Sequence, residues 1–447
     1  GPLKNSVTTP NGGTRSLGGG GRRPAGFGAA LVPCAGPKKG GQPVQIEGPK
    51  PLPPPSLAME VPDDLQSLEA TGIYRLEGAA GTGAVFVDPV RLLNESYQRF
   101  RVVPSAYYSR SFGPPRLGGD SETQQPEECR KRKRNRKPKP KELNAVEKIA
   151  EARHQEARPL LLNAHESLLK ANNLLEYLSK TTKAEEHTLD VETSYENNFV
   201  DLGSSWRAPF HEITVCLQKP HGLGNEKATG EAEGEFQNRR YILPRGSCFS
   251  MADIKHVRNL IPDNPKQGYN LIVVDPPWEN GCVRQKEVYP TLPNKYFMYL
   301  PVRELAHPDG ALLVLWITNR EKLRVFVEKE LLPSWGVKDA RVFYWLKVKP
   351  DGSLIGDLDL FHHRPYECLL IGYINVDTKA KRGSDFKVLK GSQVIMSVPG
   401  AHSRKPPLQS PTPPRCIELF ARELSSGWTS WGNEVLRFQD SIYFSEK

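Results

Sequence analysis

The chain has 447 residues, of which 38% are apolar, and a formal net charge of +10. At about 150 residues per domain, this length accommodates two or three domains. Apolar residues nowhere run for the roughly 18 consecutive positions that a membrane helix needs, so we expect no membrane protein. No signal-peptide pattern opens the chain. The seven cysteines are widely spaced and lack zinc-ligand spacing, which predicts reduced thiols and no metal site.

The first 56 residues are dominated by glycine and proline. Residues 1–55 contain 24 of these two residue types and few aromatics. Such a segment cannot bury enough surface to offset the entropy of ordering, so residues 1–56 are predicted to be a disordered tail. A small β-containing element is predicted over residues 57–120. Within it, Ile73–Glu77 and Ala84–Asp88 flank a glycine loop, which is the pattern of a hairpin.

A dense basic run marks residues 121–142 as a linker. Arg130–Lys141 carries nine basic residues and no acidic one, which leaves a net charge of only +1 for the rest of the chain. This pattern indicates a nuclear-import signal or a flexible arm that binds phosphate, and it favours a nuclear protein. The alternative is a solvated linker without a partner.

Residues 143–234 are predicted to be a helical middle region that ends in a polar stretch. Pro159 indicates a kink or the start of a second helix. Apolar residues then recur at alternating spacings of three and four, at Leu161, Ala164, Leu168, Ala171, Leu175 and Leu178. This stripe is too short to demand a coiled coil, so we expect it to pack within the chain. A partner protein is the second interpretation.

Residues 235–447 alternate between strand-like and helix-like runs. The predicted strands are Tyr241–Leu243, Leu271–Val274, Ala311–Trp316, Ala340–Val348, Glu367–Tyr373 and Cys416–Phe420. Helices are predicted at Lys295–Leu305 and Arg320–Leu331. Buried apolar strands separated by helical crossovers predict an α/β domain with a mostly parallel sheet. Ligands of such sheets bind beyond the carboxyl ends of the strands.

One of these carboxyl ends carries Asp275, Pro276, Pro277 and Trp278, directly after the apolar run LIVV. The two prolines remove two backbone donors and stiffen the loop. The Asp275 carboxylate and the Pro276 carbonyl are then suited to accept the two hydrogens of an exocyclic amine, with an aromatic side chain on the ring. The simpler interpretation is a surface loop whose tryptophan packs in the core.

The wording of the domain resembles a known family. NLIVVDPPW is followed in order by YPTLP, ALLVLWITN, FYWLKVK, HHRPYECLLIGY, SRKP, IELFAREL and WGNE. These motifs are similar to those of the DPPW-type N6-adenosine methyltransferases, and DPPWEN and RPYE are most similar to one branch of that family. The resemblance covers residues of about 248 to 438, somewhat under half of the chain.

The resemblance implies a Rossmann-like, circularly permuted methyltransferase domain that uses S-adenosylmethionine. The catalytic residues would be Asp275, Pro276, Pro277 and Trp278. Residues that would contact the cofactor are Asp253, Ile254, Asp275, Pro277, Lys405, Leu419, Phe420, Arg422, Asn433 and Glu434. Residues that would surround the acceptor nucleotide are Asn280, Tyr289, Trp316, Lys347, His363, Arg364, Tyr366 and Glu367.

Three positions depart from the pattern of the family. Ala421 stands where the family has a glycine, Glu434 where a relative has glutamine, and the residues after Arg422 lack a His-Asn pair. These differences affect the expected ribose and adenosine contacts. The core-packing alternatives for Trp316, and solvent exposure for Lys347 and His363, also stand beside the nucleotide-binding interpretation.

The expected function is N6-methylation of adenosine in RNA. The finer expectation is an internal 2′-O-methyladenosine of a spliceosomal small nuclear RNA of the U2 type, which would give N6,2′-O-dimethyladenosine. DNA adenine methylation is an alternative, and so is a non-catalytic RNA-binding subunit with the same fold. If the Leu161–Leu178 stripe covers the catalytic domain, a monomer suffices.

Overall fold

The computed structural model describes residues 65–76, 84–108, 143–186, 213–217, 230–236, 238–279, 292–361, 363–376, 394–401, 404–408 and 415–447. The predicted tail over residues 1–56, the glycine loop after Glu77 and the basic run Arg130–Lys141 lie outside the described residues.

Strands dominate the described part of the chain. They are β1 (Ile73–Leu76), β2 (Ala84–Val87), β3 (Phe100–Val102), β4 (Ile213–Cys216), β5 (Ala232–Phe236), β6 (Arg239–Leu243), β7 (Cys248–Met251), β8 (Leu271–Val274), β9 (Ala311–Ile317), β10 (Lys338–Lys347), β11 (Tyr366–Ile374), β12 (Val394–Ser397), β13 (Cys416–Leu419), β14 (Thr429–Gly432) and β15 (Phe444–Glu446). Each strand predicted from the sequence is present, within one or two residues at its ends.

Within the described residues, eleven strands form one sheet in the order β1-β2-β12-β10-β11-β9-β8-β13-β14-β7-β4. Strands β7, β14, β13, β8 and β9 run parallel to one another, and so do β2, β12 and β10. Strand β11 is antiparallel to both β9 and β10. The sheet is therefore mixed, with most neighbouring pairs parallel. The carboxyl ends of β7, β14, β13, β8, β9 and β10 share an edge with the amino end of β11.

In the described residues, two longer helices, the fourth and fifth in chain order, and several short ones accompany the strands. They are α1 (Leu65–Thr71), α2 (Pro89–Asn94), α3 (Pro104–Tyr107), α4 (Ala145–Lys170), α5 (Asn172–Glu186), α6 (Val302–Leu305), α7 (Glu321–Phe326) and α8 (Leu332–Ser334). A π-helical turn, Val327–Leu331, joins α7 to α8, and 3-10 turns occupy Ile254–Leu260, Pro265–Gln267, Asn294–Tyr299 and Ser441–Tyr443. The single helix predicted over Lys295–Leu305 is wrong. It divides into a 3-10 turn and α6, because Pro301 lacks the backbone N–H that would continue the helix.

Helix α4 is longer than its sequence predicts. Asn144 and Glu147 form a reciprocal capping box at its start. Of the two outcomes predicted at Pro159, the start of a second helix is wrong, because α4 runs through this exposed residue and ends at Lys170. His154, Ala157, Leu161, Ala164 and Leu168 form a continuous buried face on both sides of Pro159. Packing of this face outweighs the cost of an interior proline, about 3 kcal/mol.

The apolar stripe of α4 and α5 packs within the chain, as the sequence predicts. Leu161 and Leu168 are fully buried in the core on one face of the sheet. Because the break falls at Ala171, the buried positions of α5 shift to Leu174 and Leu178. The second face of the sheet has a smaller core that includes Trp316 and Trp428.

The sequence analysis predicted separate domains over residues 57–120 and 235–447, but strands from both ranges belong to one sheet. Strand β2 pairs in parallel with β12, and β1 pairs antiparallel with β2, which confirms the predicted hairpin pairing. Strand β3 also pairs with β15 near the end of the chain. Non-local pairings of this kind leave no local signal in the sequence.

Two cysteines differ from their prediction. Cys216 on β4 and Cys248 on β7 are paired residues of neighbouring strands and form a disulfide, so the expectation of reduced thiols is wrong for this pair. The side chains of Cys368 and Cys416 are buried. In the described part of the chain, no helix combines the length and the apolar character that crossing a bilayer requires.

Candidate functional site

The carboxyl edge of the sheet gathers most of the residues predicted from the sequence. Asp275 follows β8, Phe420 follows β13, Asn433 follows β14 and Asp253 follows shortly after β7. Lys347 ends β10, and Glu367 lies at the start of β11 on the same edge. Parallel strand direction thus brings residues far apart in sequence to one place, as expected for an α/β ligand site.

A chain of alternating charges crosses this edge. The Lys405 ammonium lies 3.4 Å from Asp275 Oδ1 and 3.3 Å from Glu367 Oε2. Lys347 pairs with the other oxygen of Glu367, and Arg422 Nη2 lies 3.9 Å from Asp275 Oδ2. All five side chains are largely shielded from solvent. The arrangement places both acids between cations beside a cleft.

The cleft encloses about 560 Å³ of empty space, part of it open to solvent, on the Trp316 face of the sheet. Asp275, Lys405, Phe420 and Arg422 line its outer part. Trp316 forms part of its wall, with the Lys405 ammonium 5.6 Å from the ring centroid. The alternative that Trp316 is a core residue is therefore compatible with a position at the cleft, because one face of the buried ring meets the core.

Burial and charge shift the pKa values of three groups here. Burial alone would raise the pKa of Glu367, but Lys405 and Lys347 outweigh it and lower that pKa to about 2. Burial likewise opposes the charge of Lys405, while Asp275 and Glu367 raise its pKa. Burial, Asp275 and Glu423 together raise the pKa of Glu418 to about 8, so this carboxyl is neutral near pH 7.

Backbone hydrogen bonds fix the Asp275–Trp278 loop. The Asp275 N–H donates to the Leu419 carbonyl at 3.2 Å, and the Trp278 N–H donates to the Pro276 carbonyl at 2.8 Å. The Pro277 carbonyl accepts a hydrogen bond from Leu292. The Pro276 carbonyl predicted to face an amine is thus already engaged within the loop, with one remaining lone pair. Asp275 is the acceptor that the geometry leaves at the cleft.

Trp278 supports this loop from the core. Its side chain is 5% exposed, and its indole N–H donates to the Trp316 carbonyl at 2.9 Å. Its ring packs edge to face on Phe297, which packs in the same way on Phe420. The geometry therefore supports the alternative that the sequence left open, a packing tryptophan, and not an aromatic ring stacked on a ligand.

The residues expected to meet the cofactor divide into two groups. Asp253 caps the 3-10 turn after β7 through its bond to the Lys255 N–H, and Asn433 is exposed at the end of β14. By contrast, the Leu419 side chain is fully buried in the core. Ile254 packs against the same core. The side chains of Leu419 and Ile254 therefore stabilise the ends of the strands by packing in the core.

Two of the departures from the family pattern, Ala421 and Glu434, have partners within the fold, and Phe420 beside them has an unusual backbone conformation. The Ala421 methyl group packs in a core cluster with Leu424 and Val435, away from the cleft. Glu434 pairs with Arg437 at 2.8 Å. Phe420 adopts the left-handed backbone conformation, with φ of 62°, which is costly for a bulky residue and is found at ligand sites.

Several of the residues expected at the acceptor nucleotide lie away from the cleft or outside the described residues. Arg364 binds Glu151 on α4 at 2.6 Å, and the Tyr366 hydroxyl lies 3.0 Å from His154 Nδ1, so both contact α4 instead of the cleft. The nucleotide-contacting roles of these two residues stay predictions, beside the contacts with α4 that both side chains make. His363 is exposed. Asn280 and Tyr289 lie outside the described residues.

Two residues at the cleft, Arg404 and Glu418, were not predicted from the sequence. Arg404 is buried against Tyr107 and Phe438, 4.3 and 4.4 Å from their ring centroids, and it pairs with Glu423. Glu418 is the second acid near Asp275. Its position inside the apolar strand IELF was the available signal, because an acid in a buried strand is rare without a special environment.

Comparison with known proteins agrees with this geometry. The MT-A70 family profile matches residues 269–434. The mouse N(6)-adenine-specific methyltransferase METTL4 is 40% identical over 219 residues, which are 47% of this chain and 46% of the mouse protein. This similarity confirms the resemblance of DPPWEN and RPYE to the branch called methyltransferase-like protein four.

Two further relatives have different named activities. The N6-methyladenosine RNA methyltransferase MTA1 of Cryphonectria parasitica is 33% identical over 46% of this chain and 62% of its own length. The DNA N6-methyl methyltransferase of Caenorhabditis elegans is 27% identical over 62% of this chain and 76% of its own length. The chain thus spans about half the length of METTL4 and somewhat more of the others. The segment that carries Asp275, Lys405 and Arg422 is similar to the MT-A70 family over residues 269–434.

Proposed function

We propose that the protein is an S-adenosylmethionine-dependent N6-methyltransferase that acts on adenosine in RNA. The observation that carries the proposal is the Asp275 carboxylate, held at the carboxyl edge beside Lys405 and Arg422. The match of residues 269–434 to MT-A70 and the names of the relatives support the same chemistry.

The chemistry of the edge fits S-adenosylmethionine. Lys405 and Arg422 offer cations for a carboxylate, while Asp253 and Asn433 offer polar groups at two neighbouring strand ends. The cofactor, when bound, supplies a methyl group on a sulfonium. The circularly permuted order is proposed on the resemblance to the family, which implies that the catalytic loop with Asp275 precedes the cofactor-binding segment.

Asp275 is the residue that acts on the acceptor in this proposal. The lone pair of an adenine N6 is delocalised into the ring, so the amine is a poor nucleophile. A fixed carboxylate that accepts one N6 hydrogen favours a more nucleophilic nitrogen and needs no reorganisation during the reaction. After transfer, Asp275 can take the proton that the cationic nitrogen loses, or pass it to water.

The finer proposal for the substrate is an internal 2′-O-methyladenosine in a spliceosomal small nuclear RNA of the U2 type. The similarity to METTL4 supports this branch over the others. DNA is the competing acceptor, because the Caenorhabditis elegans relative is named for DNA. We further propose a nuclear protein, directed there by Arg130–Lys141, that acts as a monomer. The cover that α4 provides for one face of the sheet supports the monomer.

The test is methyl transfer from labelled S-adenosylmethionine to three matched oligonucleotides. These are RNA with adenosine, RNA with 2′-O-methyladenosine, and DNA. Selective labelling of the 2′-O-methylated RNA is the expected result. Asp275→Asn should lower turnover by at least about 100-fold, the typical effect of removing one group that stabilises the transition state.

The control variant for this test is Asp263→Asn. Asp263 is an exposed acid outside the cleft, so its replacement controls for the loss of one negative charge. Full turnover in Asp275→Asn would overturn the mechanism. Labelling of DNA alone would move the substrate to the DNA branch, and cofactor binding without any labelling would favour a non-catalytic RNA-binding subunit.

A further inference from the structure

An exposed aromatic surface lies beside the catalytic loop. In the 3-10 turn Asn294–Tyr299, the side chain of Tyr299 is 74% exposed and that of Tyr296 is 51% exposed, with Met298 between them. Large aromatic side chains at this exposure are unusual on a protein surface that has no ligand. We call Lys295, Tyr296, Met298 and Tyr299 the aromatic platform.

The platform is rigidly attached to the site. Phe297, in the middle of the same turn, is fully buried and packs edge to face on Trp278 and Phe420. The Trp335 indole N–H donates to the Phe297 carbonyl at 3.1 Å. The Glu279 N–H, one residue beyond Trp278, donates to Asn294 Oδ1. The exposed rings are therefore held by the residues that hold the catalytic loop.

Basic side chains lie in the platform and in a neighbouring turn. Lys295 is exposed within the turn, and the turn Ile254–Leu260 carries Lys255 and Arg258, both exposed. Neither turn contains an acidic residue. Arg258 approaches the helix that follows the platform, where it pairs with Glu304 on α6 at 3.2 Å. Cations interleaved with exposed rings complement a single-stranded nucleic acid, with its phosphates and the flat faces of its bases.

We propose that Tyr296 and Tyr299 stack against bases that flank the target adenosine, while Lys295 contacts the backbone phosphate. The inference rests on the proposed function and adds to it a binding site for single-stranded RNA outside the cleft. Ring stacking tolerates any base, so the platform contributes affinity and position without reading sequence. Continuity with the Asp275–Trp278 loop places it on the path of a strand that crosses this edge.

The experiment measures the affinity of the full chain for a fluorescent single-stranded RNA of about 12 nucleotides, a length within the range that one stacking surface binds. Tyr299→Ala and Tyr296→Ala should each weaken binding roughly tenfold. Tyr299→Phe keeps the ring and should bind as the wild type does. Tyr299→Leu keeps an apolar side chain without a π face and should bind as weakly as Tyr299→Ala.

Two controls separate stacking from other effects. Ile442→Ala removes another exposed apolar side chain and should leave RNA affinity unchanged. Turnover of the free target nucleoside should be the same in Tyr299→Ala and in the wild type, because that substrate has no flanking bases to stack on the platform. Lys295→Gln should make the salt dependence of binding shallower, by about one phosphate contact.

The outcomes distinguish this inference from the proposed function. Wild-type methyl transfer with unchanged RNA affinity in both alanine variants would overturn the platform and leave the enzyme intact. If the wild type shows no methyl transfer while the alanine variants bind RNA more weakly, the platform is supported and the proposed methyltransferase activity is overturned. Full affinity in Tyr299→Leu would overturn stacking. A protein-docking surface would replace it if the variants changed the mass in solution but not the RNA affinity.

Discussion

The ammonium group of Lys405 lies 3.4 Å from Asp275 Oδ1. The same ammonium lies 3.3 Å from Glu367 Oε2, so one cation serves two acids that come from different strands. A ligand carboxylate that pairs with Lys405 must therefore share it with Asp275 and Glu367. In the proposed function, cofactor binding at Lys405 is therefore coupled to the ion pairs that this lysine makes with Asp275 and Glu367.

Lys405→Ala should weaken cofactor binding and raise the KM for S-adenosylmethionine about tenfold or more, with a smaller change in kcat. The reason is the loss of a charge-assisted bond, which contributes about 1.5–3 kcal/mol. Calorimetric titration with the cofactor measures the effect directly. Lys322→Ala removes an exposed lysine of α7 and serves as the control. Unchanged affinity in Lys405→Ala would place the cofactor carboxylate elsewhere.

Glu367 should make stability depend on pH in the acid range. Lys405 and Lys347 outweigh burial and lower its pKa in the folded protein from 4.5 to about 2, so folding favours the ionised form. The contribution is present above the unfolded pKa and is lost as pH falls toward 2. It amounts to about 3 kcal/mol.

Urea unfolding of the wild type and Glu367→Gln tests this statement. The stability gap between them should be larger at about pH 6 than at about pH 3, where the wild-type carboxylate is losing its advantage. Glu330→Gln, an exposed acid on the π-helical turn, should show no such change. A gap that is independent of pH would contradict the ion-pair geometry.

The contribution of Glu418 to stability should depend on pH with the opposite sign. Burial, with Asp275 and Glu423 adding to it, raises its pKa to about 8, above the unfolded value of 4.5. Its contribution is therefore full below the unfolded pKa and is lost as pH rises through 8. The slope between these values is about 1.4 kcal/mol per pH unit.

Glu418→Gln mimics the neutral acid and should remove this slope. The melting temperature of the variant, compared with that of the wild type, should therefore rise between about pH 5 and pH 8. Thermal unfolding across this range, with Glu330→Gln as a second control, provides the measurement. Parallel curves for the wild type and Glu418→Gln would mean that Glu418 is ionised in the folded protein.

Arg364 should matter for stability and not for RNA affinity. Its side chain is 7% exposed and binds Glu151, which joins the loop before β11 to α4. Arg364→Ala should cost about 1–3 kcal/mol of stability, because Glu151 loses its partner. A double-mutant cycle with Glu151→Ala should give a coupling energy of about 1 kcal/mol.

The RNA affinity of Arg364→Ala decides between the two interpretations of this residue. An unchanged affinity is expected, since the guanidinium faces α4. Arg364→Lys should recover only part of the stability, because lysine lacks the planar fork of arginine. A steep loss of affinity with a shallower salt dependence would restore the phosphate-contacting role predicted from the sequence.

Local pattern was sufficient for most strands of the sheet. LIVV and ALLVLW are buried at every position in β8 and β9, as uninterrupted apolar runs in a parallel sheet should be. The short strands β4, β7, β12 and β14 of the sheet escaped prediction, because four-residue segments carry little periodicity. Pro159 shows the reverse error, since a strong local signal was overridden by the buried face of α4.

The sequence by itself was sufficient to predict Asp275, at the end of β8, and Lys405, in SRKP, as site residues. Both predictions rest on local features, an apolar strand followed by an acid and a short motif. Only the tertiary structure decided which neighbouring residues reach the cleft. Glu367 turns toward Lys405, while Tyr366, one position earlier, points to His154 on α4. Side chains of a strand alternate between its two faces. Helix α4, which lies about 200 residues earlier in the chain, contacts the face toward which Tyr366 points, and long-range packing places it there.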